Sequence, residues 1–464
     1  MNPRLLKAPA NHGEVLAVPA VDNIPVLVDA NRKSLDAHFG ELRRLARRDL
    51  HIADDVPIII TGHQPELFHP GVWVKNFAAN GLARKLGGHA INLIVDTDTV
   101  KSTSIRLPQI NRAVTLEHLS FDDFGGESPY ESTPVHNEAL FRSFTDRLAA
   151  ATEEWPFRPV ITEPSIARET AEMFDATTSL GHSLAAIRQN LEAAWDCENL
   201  EFPVSAMSQF DSFREFATLI INDAARFRES YNRAIRDYRT VNKLKSRNHP
   251  APELEANELP FWTMIDGTRQ RTFKVDDISA VRPKALILTL YARLILGDFF
   301  LHGLGGGKYD AVTDSIIRNY FGIEPPAYQM LTATLHLPFE PVNSKDQPAN
   351  RIRQLRRRVI WNPQDYLEDV WQQEAAIDAE LFAQIPEGPD HNRQLFLVGR
   401  QCLARVQNRY RDRLDRELQA LDQHLANRLA FESAFAILTR RDYAWVLYPE
   451  SMLKPYLTRF LSNT

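Results

Sequence analysis

Apolar positions along this chain alternate between two spacings, one typical of strands and one of helices. Val56, Pro57, Ile58, Ile59 and Ile60 make an unbroken apolar run behind Asp54 and Asp55, the pattern of a buried strand. Val72, Phe77, Ala78, Leu82 and Leu86 then mark one apolar face of a helix, which Gly87 and Gly88 bring to an end. A second strand, residues 90–95, follows at once and stops at Asp96, Thr97 and Asp98. Strand, helix and strand in this order make a βαβ unit. Residues 61–77 hold its first turn, and polar residues stand at the carboxyl ends of both strands, where open α/β sheets bind ligands.

The same reading extends in both directions. Residues 1–30, rich in Pro, Ala and Val, read as an extended arm, and Leu35, His38, Phe39, Leu42 and Leu45 predict a helix over 34–48. Short strands are expected at 104–107 and 113–116, and an acidic loop bordering the site at 121–134. Helices at 137–151 and 165–195 bracket a third strand at 159–162; a fourth follows at 199–204 and one or two helices at 211–241. This alternation predicts an α/β fold, a largely parallel sheet with helices on both faces, whose first part is residues 1–247. Asn248 to Pro252 reads as a linker. Residues 248–348 then complete the core: a β-hairpin around Asp266 and Gly267, an apolar helix from Pro283 to Leu296, and a glycine-rich turn at 303–308. From 349 to 440 the spacing is helical again. Leu403, Val406, Tyr410, Leu414, Leu418, Leu421, Leu425 and Leu429 follow one another at steps of three or four, which predicts one face of a nearly straight helix rather than a strict heptad supercoil, within an antiparallel helical hairpin. Residues 441–464 are expected to pack back on the core.

Composition narrows the function classes. With 44% hydrophobic and 25% charged residues and a formal net charge of −6, the 464-residue chain has the make-up of a soluble globular protein rather than a nucleic-acid scaffold. No run of about 18 apolar residues suggests a membrane span, and residues 1–7 lack the features of a signal peptide. Cys197 and Cys402 lie far apart with no metal-ligand spacing, which fits a reducing cytoplasm.

A strand-to-helix turn aims unpaired backbone N–H groups and the positive helix end at a ligand, so the first turn is a candidate anion or nucleotide site. His63, His69 and Lys75 add charge or proton transfer there, Gln64 adds an amide, and Gly62 and Gly71 permit close backbone approach. The plainer alternative is that His63 and Gln64 only pin the turn. Asp96 and Asp98 flank Thr97, so on an extended backbone both carboxylates face one way, toward a magnesium ion, a ribose or an amine, or else cap the next segment. The glycine-rich turn fails as a P-loop because His302 and Tyr309 occupy the places of the first glycine and the Ser or Thr. With Gly305 and Gly306 it still suits a phosphate or carboxylate, Lys308 supplying counter-charge, or else a tight turn between helices. Arg351, Arg353, Arg356, Arg357 and Arg358 read as a solvated helix face or a phosphate patch. No Ser-His-Asp or Cys-His constellation is readable.

Three stretches together resemble one family. Thr61, Gly62, His63, Gln64 and Pro65 with the Lys75 helix, the strand ending Val95-Asp96-Thr97-Asp98, and residues 277–283 followed by the glycine-rich turn are similar to the bacillithiol biosynthesis cysteine-adding enzymes. The likeness runs from about residue 56 onward. Departures from the family pattern fall at His63, at Val95 and Thr97, at Gly307 and Asp310, and at Val72, which stands where a HIGH signature has its second histidine. The resemblance implies a Rossmann-like core related to HIGH-type nucleotidyltransferases, a coiled-coil arm used in dimerisation, and a ligase joining a cysteine-like amino acid to the amine of a small anionic, sugar-containing substrate. His63 and Asp98 are the candidates for proton removal from the attacking amine. Gly62, Gln64, His69, Gly71, Lys75, Asp96, Arg282, Gly305, Gly306 and Lys308 would hold substrate or nucleotide, with ATP and Mg as expected participants and no protein metal site. The rival is a non-catalytic nucleotide- or small-ligand-binding protein that dimerises through its helical arm; neither reading calls for nucleic acid or a membrane.

Overall fold

The computed structural model describes residues 6–111, 113–172, 178–340 and 347–462. The chain enters through β1 (Val15–Val18) and α1 (Ile24–Asp49), followed by β2 (Ile58–His63), α2 (Pro70–Leu86) and β3 (His89–Ile94). A hairpin, β4 (Ser104–Ile110) and β5 (Val114–Ser120), leads to α3 (Glu138–Arg142), α4 (Phe144–Ala151), α5 (Pro164–Glu172) and α6 (Leu180–Ala194). Then come β6 (Leu200–Pro203), α7 (Val204–Met207), α8 (Asp211–Asn222) and α9 (Ala224–Val241), and three short strands, β7 (Phe261–Ile265), β8 (Thr268–Arg271) and β9 (Val281–Pro283). The next elements are α10 (Ala285–Tyr291), β10 (Phe299–His302), α11 (Leu304–Ile316) and β11 (Tyr328–Ala333). Four helices, α12 (Ala349–Trp361), α13 (Glu368–Ala383), α14 (His391–Arg409) and α15 (Arg411–Leu438), precede the last, α16 (Glu450–Ser462). Among the described residues no helix is long and apolar enough to cross a membrane.

The main sheet has six strands in the order β1-β11-β10-β2-β3-β6; all neighbours are parallel except the edge pair β1 and β11. Ile58 and Ile60 of β2 and Ile91 and Leu93 of β3 enter one core with Phe213, Phe216, Tyr291 and Ile295. Alternate residues point to the opposite face. There α2 packs across β2, β3 and β11, and α16 packs on α2, with the Trp73 ring 5.4 Å from Trp195 and 4.8 Å from Trp445.

This compact unit comprises Met1–Gln109, Leu116–Pro338 and Arg440–Thr464. Its underside is stitched by Asp298, which has no exposed side-chain surface: it accepts from Ile58 N at 2.7 Å and pairs with Arg43 and with Arg47, the latter at 3.1 Å. Arg43 also donates to the Gly297 carbonyl at 3.0 Å. One buried carboxylate thereby ties α1 to the starts of β2 and β10.

Five expectations differ from the structure. The N-terminal stretch is not an extended arm: β1 covers the edge of β11, and α1 begins at Ile24 rather than 34. Its buried stripe includes Asn31, whose amide bonds the carbonyls of Asp298 and Ala327 and the Ala327 N–H, so a polar residue sits where periodicity looks for an apolar one. Val160, Ile161 and Thr162 are buried but form a single tight turn between Pro159 and Pro164, with no ladder partner among the described residues. Pro283 lies in β9, opposite Phe261, and the helix starts two residues later. The turn after β2 is shorter than read, because the strand continues through Gly62 and His63, which pair with Leu93 and Ile94.

The second unit, Ile110–Thr115 and Phe339–Thr439, contains helices packed in nested order, α12 on α15 and α13 on α14. Val359, Leu367, Val406 and Leu414 are its buried seam, flanked by Tyr410, Leu418 and Leu421. The leucine stripe does not run along one straight helix. It breaks at Tyr410 (φ −113°, ψ 26°), whose hydroxyl donates to buried Glu374 at 2.9 Å, and Leu429 at its far end is exposed. Two of the five arginines meet carboxylates, Arg356 with Asp422 and Arg358 with Asp365, each at 2.6 Å.

Candidate functional site

After β2 the chain moves to β3 on one side, while β10 lies on the other. The reversal of strand order therefore falls between β2 and β10, not between β2 and β3, and this is where ligands enter open α/β sheets. A cavity of about 780 Å³ opens there. It is lined by Gly62 and His63 at the end of β2 and Gln64 after it, by His69, Gly71 and Lys75 of the α2 start, by Asp98 after β3, by His302 at the end of β10, and by Gly305 and Gly306 of α11. Both helices that begin at this point, α2 and α11, lack a side-chain cap; Pro70 opens α2 without an N–H and the Val72 N–H is taken by the His69 carbonyl at 2.9 Å, so the uncapped start of α11 is the better backbone donor of the two.

Lys75 is the central side chain. It is 3% exposed, and its Nζ donates to the Gly62 carbonyl at 2.8 Å. Its Cε lies 3.9 Å from where a Cβ on Gly303 would stand, so it reaches from α2 to the first residue of the α11 turn. No described carboxylate pairs with it, and burial pulls its pKa down to about 7. Arg441 joins it, donating to Thr332 Oγ1 at 2.9 Å and the Ala333 carbonyl at 2.8 Å, again without an ion pair among the described residues. A partly desolvated cation with only neutral partners is a site awaiting an anion.

The two histidines of the first turn are neutral. His63 shares its Nδ1–H with the Gln64 carbonyl at 2.7 Å. Burial, then the charges of Lys75 and Arg188, hold its pKa well below the ordinary value, so Nε2 is an unprotonated acceptor with no described partner. His69 starts α2 and is lowered to about 4 by burial and by Arg441. Asp98 behaves differently. Burial alone would raise it, but the amide of Gln64 at 2.9 Å, the Thr99 N–H at 2.9 Å, Lys101 and Arg269 together bring it below the usual carboxylate range. It is an ionised anchor for a cationic group rather than a strong base.

Asp96 and Arg282 go elsewhere. The backbone turns at residues 95–98 instead of staying extended, so the two aspartates do not face one way. Asp96 accepts from the Ser205 N–H at 2.9 Å and from its hydroxyl, and with Arg282 it lines a second cavity of about 600 Å³ beyond β3. Arg282 pairs there with Glu131 at 3.1 Å. Lys308 lines neither cavity. Gly62 and Gly71 also serve a purpose other than ligand approach: a Cβ at Gly71 would stand 2.1 Å from the Ala333 carbonyl oxygen, and one at Gly62 would stand 2.8 Å from that of Leu93. Their absent side chains let α2 and β3 close on the sheet. Gly305, with nothing within 4 Å of its missing Cβ, does leave open space.

Sequence reasoning missed Glu66, Trp262, Arg269, Arg441 and Asp310 on the cavity wall. Trp262 of β7 is flanked by Arg269 of β8 at 4.5 Å and Lys284 at 4.6 Å; an Asp-Gly hairpin gives no hint that residues of both its strands line the cavity. Among the described residues no three His, Cys, Asp or Glu side chains cluster as a metal site. No protein-family model and no curated protein sequence matches the chain.

Proposed function

We propose that this chain is a ligase-type enzyme that joins a carboxylate, cysteine-like amino acids included, to the amine of a small anionic substrate such as an amino-sugar derivative. The observation that carries the reading is Lys75: a buried amine bonded to a backbone carbonyl, at the point where two uncapped helices begin. An ATP phosphate or substrate carboxylate completes that arrangement, and Asp98 with Glu66 offers the opposite charge for an ammonium group across the same cavity. With no protein cluster for a metal among the described residues, Mg²⁺ would enter on the nucleotide's own phosphates. The reversal of strand order at β2 supports a Rossmann-like core, and the nested α12–α15 helices support a coiled-coil arm through which two copies associate in the cytoplasm.

The test is turnover of ATP, a panel of amino acids including cysteine, and a panel of amino-sugar acceptors, read by mass spectrometry of the amide and by phosphate or pyrophosphate release. Amide formed in step with nucleotide cleavage is the expected result. Ligand binding with no product from any combination would leave the non-catalytic binding protein as the better reading. Light scattering should give a dimer mass, lost when Trp361, Phe396 and Leu397, all exposed on the helical unit, are replaced by Ser; a monomer in the unsubstituted chain would remove the dimer from the proposal.

A further inference from the structure

One cavity histidine stands outside both the first turn and the glycine-rich turn. His302 ends β10, its ring tilted 38° against Phe300 at 4.2 Å and edge-on 5.1 Å from Tyr328. Its Nε2 lies 2.8 Å from Asp310 Oδ2, on α11. The approach is off the ideal line for a hydrogen bond, but a ring nitrogen this close to a buried carboxylate keeps its proton on that side. Asp310 is 2% exposed and bonded to Arg293 at 2.6 Å, and Arg293 in turn holds Asp314 at 2.8 Å. Burial opposes the Asp310 charge, but Arg293 and His302 outweigh it and hold its carboxyl down to about 2. The far side of the ring is different. Nδ1 has no hydrogen-bond partner among the described residues and lies under Gly306, 3.0 Å from where a Cβ would stand, at the mouth of the α11 turn.

We infer that His302 is the proton acceptor of this site, with Asp310 as the positioning residue that fixes its tautomer. The inference rests on the ligase reading for its reaction. In that reaction the substrate amine attacks the carbonyl carbon of a carboxylate already phosphorylated or adenylylated by ATP. The N–C bond forms, the C–O bond to phosphorus breaks with its electron pair leaving on the phosphate or nucleotide, and the surplus amine proton passes to His302 Nδ1. The resulting imidazolium is balanced by Asp310, itself anchored by Arg293. Gly306 is required because a side chain there would cover Nδ1. The charged or titratable groups around the ring are Asp310 of α11, Arg293 after α10, Asp314, Tyr328 of β11, and Lys75 of α2 beside Gly303.

Two measurements decide it. The first needs no turnover: ¹⁵N spectra of histidine-labelled protein, with His302→Gln for assignment, should show Nε2 protonated and Nδ1 bare, a preference lost in Asp310→Asn and a shift at Nδ1 when pyrophosphate is added. A protonated Nδ1, or no preference, overturns the inference. The second is amide formation. His302→Gln and Asp310→Asn should each lower kcat by about 100-fold or more with KM nearly unchanged, with thermal melts to exclude unfolding, and Gly306→Ala should lower kcat while the melting temperature holds. If the unsubstituted enzyme forms amide and His302→Gln matches its kcat, the inference falls while the ligase reading stands. If it forms none, the ligase reading falls, and the proton acceptor falls with its reaction.

Discussion

Replacing Arg188 with Ala is expected to destabilise the fold by about 3–5 kcal/mol, the cost of leaving buried charge without its counter-ion. Arg188 of α6 is 3% exposed and bonds Glu192 and Glu201, each at 2.6 Å. Glu192 also accepts from the Trp73 indole and, at 2.7 Å, from Asn76, both on α2, while Glu201 accepts from Asn92 of β3 at 2.9 Å. The cluster joins α6, α2, β3 and β6, and so fixes the helix that carries Lys75. Two carboxylates share one guanidinium. Burial first, with Glu201 adding to it, raises the Glu192 pKa despite Arg188. A carboxyl raised above its unfolded value contributes stability below that value and loses it as pH rises through the folded one. Without Arg188 the rise is larger, so the deficit should be smaller at pH 5 than at pH 8. Urea unfolding at both values checks this; a loss under 1 kcal/mol that ignores pH would mean the cluster is not the buried tie described.

Lys75→Met should make the unliganded protein more stable while disabling it. The folded pKa of about 7 stands against an ordinary 10.5. Between those values the unfolded chain holds a proton that the folded chain does not, so this residue's contribution to stability falls as pH drops across that window and is flat below it. Below pH 7 the buried ammonium opposes folding by roughly 5 kcal/mol, each tenfold loss of proton affinity costing about 1.4 kcal/mol. The methionine variant removes that penalty, less what the Gly62 carbonyl loses with its donor. Its advantage should be full at pH 6 and vanish toward pH 10. Denaturant melts across that range read it directly, and an advantage that does not change with pH would give Lys75 an ordinary, solvated amine. A residue that costs stability and stays buried beside a cavity fits a binding role better than a structural one.

What the sequence made legible were elements whose own residues determine them. The central strand, α2 with its Gly87 cap at φ 65°, and the Asp266-Gly267 hairpin stand close to where the apolar spacing and turn chemistry put them. Groups from the first turn and the glycine turn, His63, Gln64, His69, Lys75, Gly305 and Gly306 among them, do meet in one cavity. What was hidden depends on partners distant in sequence. Asn31 looks polar until Asp298 and Ala327 are beside it, and Val160 to Thr162 look like a strand but fold as a single tight turn. Asp96 and Asp98 share a spacing, but a local turn sends one carboxylate to Ser205 and the other to Gln64. Asp310, eight residues after His302, shows its purpose only once the α11 turn folds it back.

The central claim is that the switch-point cavity receives an anion at Lys75 and the α11 start. Calorimetric titration of ATP and of pyrophosphate, into the unsubstituted protein and into Lys75→Met, at pH 6.5 and 8.5, tests it most directly. Removing one partner of a buried charge pair costs about 2–5 kcal/mol, so the variant should bind at least about 30-fold more weakly. In the unsubstituted protein affinity should fall from pH 6.5 to 8.5, as the amine loses its proton, and the variant should show no such fall. Equal affinity in the two proteins, or affinity indifferent to pH in both, would contradict the account.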